Sequence, residues 1–365
     1  VADMMKQPPL ASTEIGAPAD SGSDRNGPVT AVFLLNITRY TGPILAGWVE
    51  GGNRIGAIVL PGFPRRRRGL SVGNLRRRLQ RKLLLKRYLG NAAVKLIEFG
   101  RPYDWDALDR QLSGITADVL VSYAFPTLIP QHVLASFPKG GVNLHPSLLP
   151  NYRGPHPVHR MVVDGQHALH GGVTLHKMSA GYDEGDILAQ VAFSEADWAS
   201  KQSLARGIAA AYRMLVSEVV PAYCQGILSG APQPAGKFIW AQLEQAHMMI
   251  LPTMTMDHVA RIWRVLGMLP GMYLSVADSI VRLGFQIRKL GPPTGRPPVR
   301  RWASIEFDLA DGRVVHFTYN RLLKRLINLH ATLAAARAPK PRLEIRRFDQ
   351  SAQLLQARDS RAKQG

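Results

Sequence analysis

Asn143 and His145 stand two residues apart in Gly141-Val142-Asn143-Leu144-His145, a short apolar run of β-strand type. Alternate residues of a strand project to one face, so an amide and an imidazole would act side by side. The run continues as Pro146-Ser147-Leu148-Leu149-Pro150-Asn151-Tyr152-Arg153-Gly154, where two prolines pin the loop and Gly154 lets the backbone turn. A second stretch, Gly181-Tyr182-Asp183-Glu184-Gly185-Asp186, offers three carboxylates framed by two glycines. An amide donor, an imidazole and a carboxylate together suit acyl transfer. The amide NH2 and an imidazolium can hydrogen-bond a developing oxyanion. A nearby carboxylate favours the charged imidazole and can relay a proton. No Ser or Cys nucleophile is required when the acceptor is itself an amine. Spacing alone does not say which of the three carboxylates serves. An Asn and a His at a strand end also have the plainer use of satisfying local backbone groups.

The elements that must position these residues follow from the apolar pattern. Short buried-type strands are expected at 29–35, 54–60, 94–98, 117–123 and 141–145, with helices at 41–50, 105–112 and 129–136 between them. Two more strands, Gly172 to Met178 and Ile187 to Phe193, and a long helix from Lys201 to Gln225 complete the block. Strands alternating with helices predict an α/β fold, an open, mostly parallel sheet with helices on both faces. Ligands in such sheets bind beyond the carboxyl ends of the strands, where Asn143 and His145 fall. After Ile239 a helix at 256–266 places Val259, Ile262, Trp263 and Leu266 at helical spacing. Strands are expected at 273–276, 280–288, 302–309 and 313–319, with Asp311-Gly312 as a hairpin turn. The predicted organisation is a disordered arm at 1–28, a catalytic domain at 29–235, a smaller β-rich domain at 236–333 and a basic, flexible tail at 334–365.

Composition bounds the rest. The chain has 365 residues and a formal net charge of +20. The single cysteine, Cys224, excludes an internal disulfide and a Cys-rich zinc module. No run of 18 apolar residues predicts a membrane span or stable membrane insertion, and no apolar leader opens the sequence, so a soluble cytoplasmic protein is expected. Residues 65–87 hold eleven basic and no acidic residues, Arg66 and Arg67 among them, and account for the drop from +20 to +9 when they are left out. Leu75, Leu79 and Leu83 repeat every four residues there, which predicts a helix with an apolar stripe and a cationic face. Such a face suits a polyanion, either nucleic acid or an anionic membrane surface.

The block from Asn143 to Gly154, with Gly172-Val173-Thr174 and Asp183-Glu184-Gly185-Asp186-Ile187 behind it, resembles the folate-dependent formyltransferases in order and spacing. The resemblance spans roughly residues 29–235 and implies the Rossmann-like sheet of that family. It implies 10-formyltetrahydrofolate as formyl donor, no metal, and Asn143, His145 and Asp183 as the catalytic trio; it selects Asp183 over Glu184 and Asp186. The donor pocket it implies is lined by Tyr123, Ala124, Phe125, Leu128 and Leu148, closed by Gly181 and Tyr182. The acceptor side it implies is formed by Ser147, Tyr152, Arg153 and Gly154, with Arg66 and Arg67 from the basic segment. Among the remaining histidines His176 is expected nearest the site.

Methionyl-tRNA formyltransferases combine such a block with a basic loop after the second strand and a small β-barrel, and both have analogues in this sequence. Aminoacyl-tRNA is therefore one expected acceptor. Two departures are visible: Asn36-Ile37-Thr38-Arg39-Tyr40-Thr41 replaces the family's glycine-rich turn after the first strand, and Pro155-His156-Pro157 follows Arg153-Gly154. They leave open a small-molecule amine, such as an amino sugar or amino acid, as acceptor. Two readings of other kinds are a formyltetrahydrofolate hydrolase and a non-catalytic protein that binds RNA or a membrane surface through 65–87.

Overall fold

The computed structural model describes residues 27–62, 85, 94–266, 272–277, 279–283, 287–301, 304–317 and 345–347. Residues 1–26 of the arm and nearly all of 65–87, Arg66 and Arg67 included, lie outside them.

Thr30–Leu35 (β1) is apolar along almost its whole length because it is covered on both faces. Ala31, Phe33 and Leu35 join one core with Ile44, Leu45 and Trp48 of a helix at Thr41–Glu50 (α1). Val32 and Leu34 project into a second core with Leu108 and Leu112 of Trp105–Leu112 (α2) and Val133 of Gln131–Ala135 (α3). This is the pattern of a buried parallel strand. Arg54–Pro61 (β2), Lys95–Phe99 (β3), Val119–Tyr123 (β4) and Gly141–His145 (β5) run parallel to it. Side-chain caps fix two helix starts: Asp104 accepts the Ala107 N–H at 2.8 Å before α2, and Ser200 accepts the Ser203 N–H at 3.0 Å before the helix that opens at Lys201. Each such cap stabilises by about 1 kcal/mol.

The chain then passes through helices at Pro157–Val163 (α4) and His167–His170 (α5) and returns as antiparallel strands, Gly172–Lys177 (β6) and Ile187–Ala192 (β7). Helix α6, Lys201–Met214, packs its buried Ile208, Ala211 and Tyr212 into the first core. The expected long helix to Gln225 is interrupted: a π turn at Leu215–Val219 precedes a short α7, Val220–Cys224. Pro221 has no N–H to donate, and the wider turn before it accommodates its ring.

The C-terminal region is built on α8, Met256–Leu266, whose Val259, Ile262, Trp263 and Leu266 are buried as their spacing predicts. His258 on its exposed side donates to the Val163 carbonyl at 2.9 Å, tying the helix to α4. Met272–Val276 (β8) and Ser279–Leu283 (β9) pair antiparallel. Ile287–Gly291 (β10), Val299–Arg300 (β11), Ser304–Leu309 (β12) and Gly312–Phe317 (β13) form a second antiparallel sheet in the order β10-β13-β12-β11. Phe307 and Val314 of this sheet, Trp263 of α8 and Val121 of β4 belong to one continuous core.

Three expectations change here. The strand expected over 280–288 is two elements, β9 and β10. The hairpin turn is Ala310-Asp311, one residue earlier than expected, because Leu309 pairs with Gly312. Gly312 instead opens β13, where a Cβ would meet the Lys289 side chain at 2.6 Å. Within the expected tail, Ile345–Arg347 forms a strand (β14) that pairs antiparallel with β7; its neighbours in 334–365 lie outside the described residues. With it the main sheet has eight strands, ordered β14-β7-β6-β5-β4-β1-β2-β3. Connections leave in opposite directions from β1 and β4, so the carboxyl ends of these two strands border the crevice in which such sheets bind ligands, and β5 ends next to β4.

Candidate active site

The pairing of β5 with β6 sets Asn143 against His176 and His145 against Thr174. Asn143 Nδ2 donates to His176 Nε2 at 3.1 Å and to Asp183 Oδ1 at 3.3 Å. His145 Nδ1 lies 3.5 Å from Asp183 Oδ2, and His176 Nε2 lies 3.5 Å from Asp183 Oδ1. The Gly154 N–H donates to Asp183 Oδ2 at 2.9 Å. Asn143, His145 and Asp183, predicted together, are therefore within contact of one another, and His176 joins them. Because a carbonyl only accepts, the 2.8 Å contact between His145 Nε2 and the Tyr152 carbonyl places a proton on Nε2.

Local backbone holds this arrangement in place. Asp183 adopts φ +55° and Tyr152 φ +62°, left-handed conformations that cost non-glycine residues energy. Gly154, at φ +108°, lies so close to Trp240 that a Cβ would meet its ring at 3.0 Å. The loop carrying Asp183 is clamped by Gln233, whose amide donates at 2.8 Å to both the Asp183 and Gly185 carbonyls. Across the strands, Thr174 Oγ1 donates to the Ser147 carbonyl at 2.6 Å and accepts the Leu149 N–H at 3.1 Å and the Gln190 amide at 3.0 Å. Gln233 has no local sequence signal and lies far along the chain from the loop it fixes, while Thr174 belongs to the Gly172-Val173-Thr174 block, though no role is assigned to it there.

The electrostatics follow from burial and from these contacts. Burial would raise Asp183, but His145, the contact with His176 and the Gly154 N–H together outweigh it and hold the carboxyl well below the usual carboxylate range. Burial also dominates at His145, and there it lowers the imidazole below its ordinary value despite Asp183 beside it. With Nε2 turned to the Tyr152 carbonyl, Nδ1 is the nitrogen of His145 that faces Asp183, 3.5 Å away.

The other predicted site residues divide. Ala124 is exposed at φ +48° at the end of β4, and the parallel register of Ser122 with Asn143 makes its loop leave beside the level of His145. Phe125 lies 6.4 Å from Phe99 in a parallel stack, and Leu128 is half-buried. Gly181 is half-buried and Tyr182 is exposed, edge-on to Trp240 at 6.2 Å. Tyr123 is packed inward instead, between Tyr40 and Tyr212, with its hydroxyl 3.1 Å from Thr38 Oγ1. Leu148 packs on Gly172, at the other end of β6 from His176.

On the expected acceptor side the side chains are spent internally. Ser147 is fully buried and donates to the Asn151 carbonyl at 2.9 Å. Tyr152 is fully buried with its hydroxyl on Asp164 at 3.2 Å. Arg153 donates to Gln233 Oε1 at 2.7 Å and stacks 3.7 Å from the Phe238 ring. What these positions give the site is backbone: the Tyr152 carbonyl to His145 and the Gly154 N–H to Asp183.

With this fold and this site, residues 101–220 match the family model described as Formyl transferase. The match falls within the stretch whose motifs carry the resemblance to that family. A methionyl-tRNA formyltransferase of Paraburkholderia phymatum is 31% identical over 184 residues, which are 50% of this chain and 56% of that protein. One from Halalkalibacterium halodurans is 31% identical over 204 residues, 55% and 60% of the two chains. The chain thus spans little more than half the length of these curated relatives. Among solved structures, a variant of HypX from Aquifex aeolicus superposes with a TM-score of 0.53 at 17% identity, over 83% of this chain and 48% of that one. HypX in complex with tetrahydrofolic acid gives 0.50 at 18% identity, over 78% and 43%. At these identities the structural likeness is one of fold. No helix among the described residues is long and apolar enough to cross a membrane.

Proposed function

We propose that the chain is an N-formyltransferase that moves a formyl group from 10-formyltetrahydrofolate to an acceptor amine. The observation that carries this is the convergence of Asn143, His145 and an ionised Asp183, drawn from segments far apart in the chain, at the carboxyl end of β5. The family match and the relatives' names support the reaction, and the tetrahydrofolic acid bound by HypX supports the donor class. Ala124, Phe125 and Leu128 are the residues that would hold the donor, beside Asn143 and His145 on the neighbouring strand.

The chemistry follows from the contacts. A neutral amine attacks the formyl carbon, and the formyl oxygen gains negative charge. The Asn143 N–H now spent on the long 3.3 Å contact with Asp183 is the donor best able to turn to that oxygen. The amine nitrogen becomes positive as it attacks, and Asp183 is the ionised group that takes its proton. His145 Nδ1, 3.5 Å away, receives the proton from Asp183 and returns it to the departing folate nitrogen. The amine loses one hydrogen and the folate nitrogen gains one, so the site stores the proton only in transit.

Aminoacyl-tRNA is the acceptor to test first, because the quoted relatives bear that substrate in their names. The decisive assay supplies purified protein with 10-formyltetrahydrofolate and a panel of amines, charged initiator tRNA, amino sugars and amino acids among them. Tetrahydrofolate release with one acceptor class identifies it. Release without any amine means hydrolysis, and no release under any condition overturns the enzyme reading.

A further inference from the structure

His176 is the buried ring the proposed chemistry leaves without a task, and its contacts define its proton positions. Nδ1 meets the Lys177 carbonyl at 2.7 Å, which accepts only, so Nδ1 carries a hydrogen. Nε2 meets the Asn143 amide at 3.1 Å. Were that amide turned round, its oxygen would face Asp183 Oδ1, 3.3 Å from the present Nδ2, and two acceptors would repel. With the NH2 group pointing at both His176 and Asp183, His176 Nε2 is the acceptor of one of its hydrogens.

We propose that His176 is a positioning residue for the formyl transfer: by accepting one N–H of Asn143, it holds the amide so that its other N–H is aimed across the site. Protonation of Nε2 would set donor against donor, and an Nε2–H would be drawn to Asp183. The amide would then be released or turned, with its oxygen where the reaction needs a hydrogen. The titratable groups facing the ring are Asp183 from the β6–β7 loop and His145 from β5, whose ring centroid is 6.4 Å away. Its register partners, Asn143 on β5 and Ile187 on β7, do not titrate. The role rests on the proposed transferase reading, but it leaves a signature in the protein itself.

Two measurements test it. In 15N-histidine spectra of the full chain at neutral pH, His176 should show a protonated Nδ1 and an unprotonated Nε2, and Asn143→Ala should shift the Nε2 resonance. A protonated Nε2 in the wild type, or no response to Asn143→Ala, overturns the proposal whether or not the protein turns over. In the formyl-transfer assay, His176→Leu should lower kcat at least about tenfold with donor KM changed less than threefold. His176→Gln, which keeps an acceptor for the Asn143 N–H, should recover most of kcat. An unchanged kcat in His176→Leu, or no recovery in His176→Gln, overturns it. A wild type inactive with every acceptor would sink the proposed function instead, and the spectra alone would then decide on His176.

Discussion

Asp183 and Asp308 are two carboxylates held ionised by similar numbers of contacts and to different ends. Asp308 on β12 accepts the Thr294 N–H at 2.8 Å, the Gly295 N–H at 2.7 Å and Arg313 at 3.0 Å. Burial would raise it, and these donors together hold it below its ordinary value. Arg313 is itself shared with Thr294 and lies 3.9 Å from Glu306. A guanidinium cannot give up its proton, so this cluster is complete and has no proton to exchange. Asp183 is surrounded by one backbone N–H, one amide and two imidazoles. Imidazoles accept and release protons near neutral pH, so the same degree of anchoring leaves a carboxylate able to do chemistry. What separates a fastening from a candidate active site here is the donor's chemistry, since both carboxylates are well satisfied.

The sharpest way to break that contrast is Asp183→Asn. The amide keeps the shape and can still accept the Gly154 N–H through its oxygen, but it cannot take a proton from the amine. Formyl transfer, read as tetrahydrofolate release, should fall about a thousandfold or more while the thermal midpoint moves little. If the variant stays within tenfold of wild type, Asp183 is a fastening like Asp308. Next in size, Gly154→Ala adds a Cβ 3.0 Å from the Trp240 ring at a φ of +108°. Strain of about 1–3 kcal/mol should appear in denaturant unfolding. Displacing the N–H that anchors Asp183 should also cut turnover. An unaltered unfolding curve would mean that loop and ring give way freely. Asn143→Ala and His145→Ala should each lower turnover by at least about a hundredfold, equivalent to about 2.7 kcal/mol of transition-state stabilisation. If both variants stay near wild-type rates, the trio is not catalytic.

The same contrast shows what was legible in the sequence. Asn143 and His145 were readable because strand periodicity alone puts them on one face, and β1 was readable because a doubly covered strand is apolar along almost its whole length. Asp183 needed the family's motif, since three carboxylates share its loop and nothing local separates them. Ser147, Tyr152 and Arg153 were placed on the acceptor side by motif position, but burial turned their side chains inward and left the backbone to act. Gln233 was silent for a plain reason: a residue that fastens a loop through one amide leaves no pattern around itself. Strand β14 is three residues long, too short for any alternation to register, and its place was set by the free edge of β7.

Asp308→Asn is the smallest expected effect and the complement of Asp183→Asn. The variant keeps an oxygen for one or two of the three donors but loses the charge opposite Arg313, so stability at pH 7 should fall by about 1–2 kcal/mol. The pH dependence has a defined sign. A carboxyl with a folded pKa below its unfolded value contributes stability that is full above the unfolded pKa and is lost as pH falls through the folded one. The gap between wild type and Asp308→Asn in chemical denaturation should therefore be widest near neutrality and close as pH drops from about 4 downward. Turnover should be unchanged throughout, because Arg313, Thr294 and Gly295 have no contact with the trio. A loss of activity that follows the loss of stability point for point would mean that the second sheet communicates with the site through the core they share. Asp308 would then be more than a fastening, and the division between the two regions would not hold.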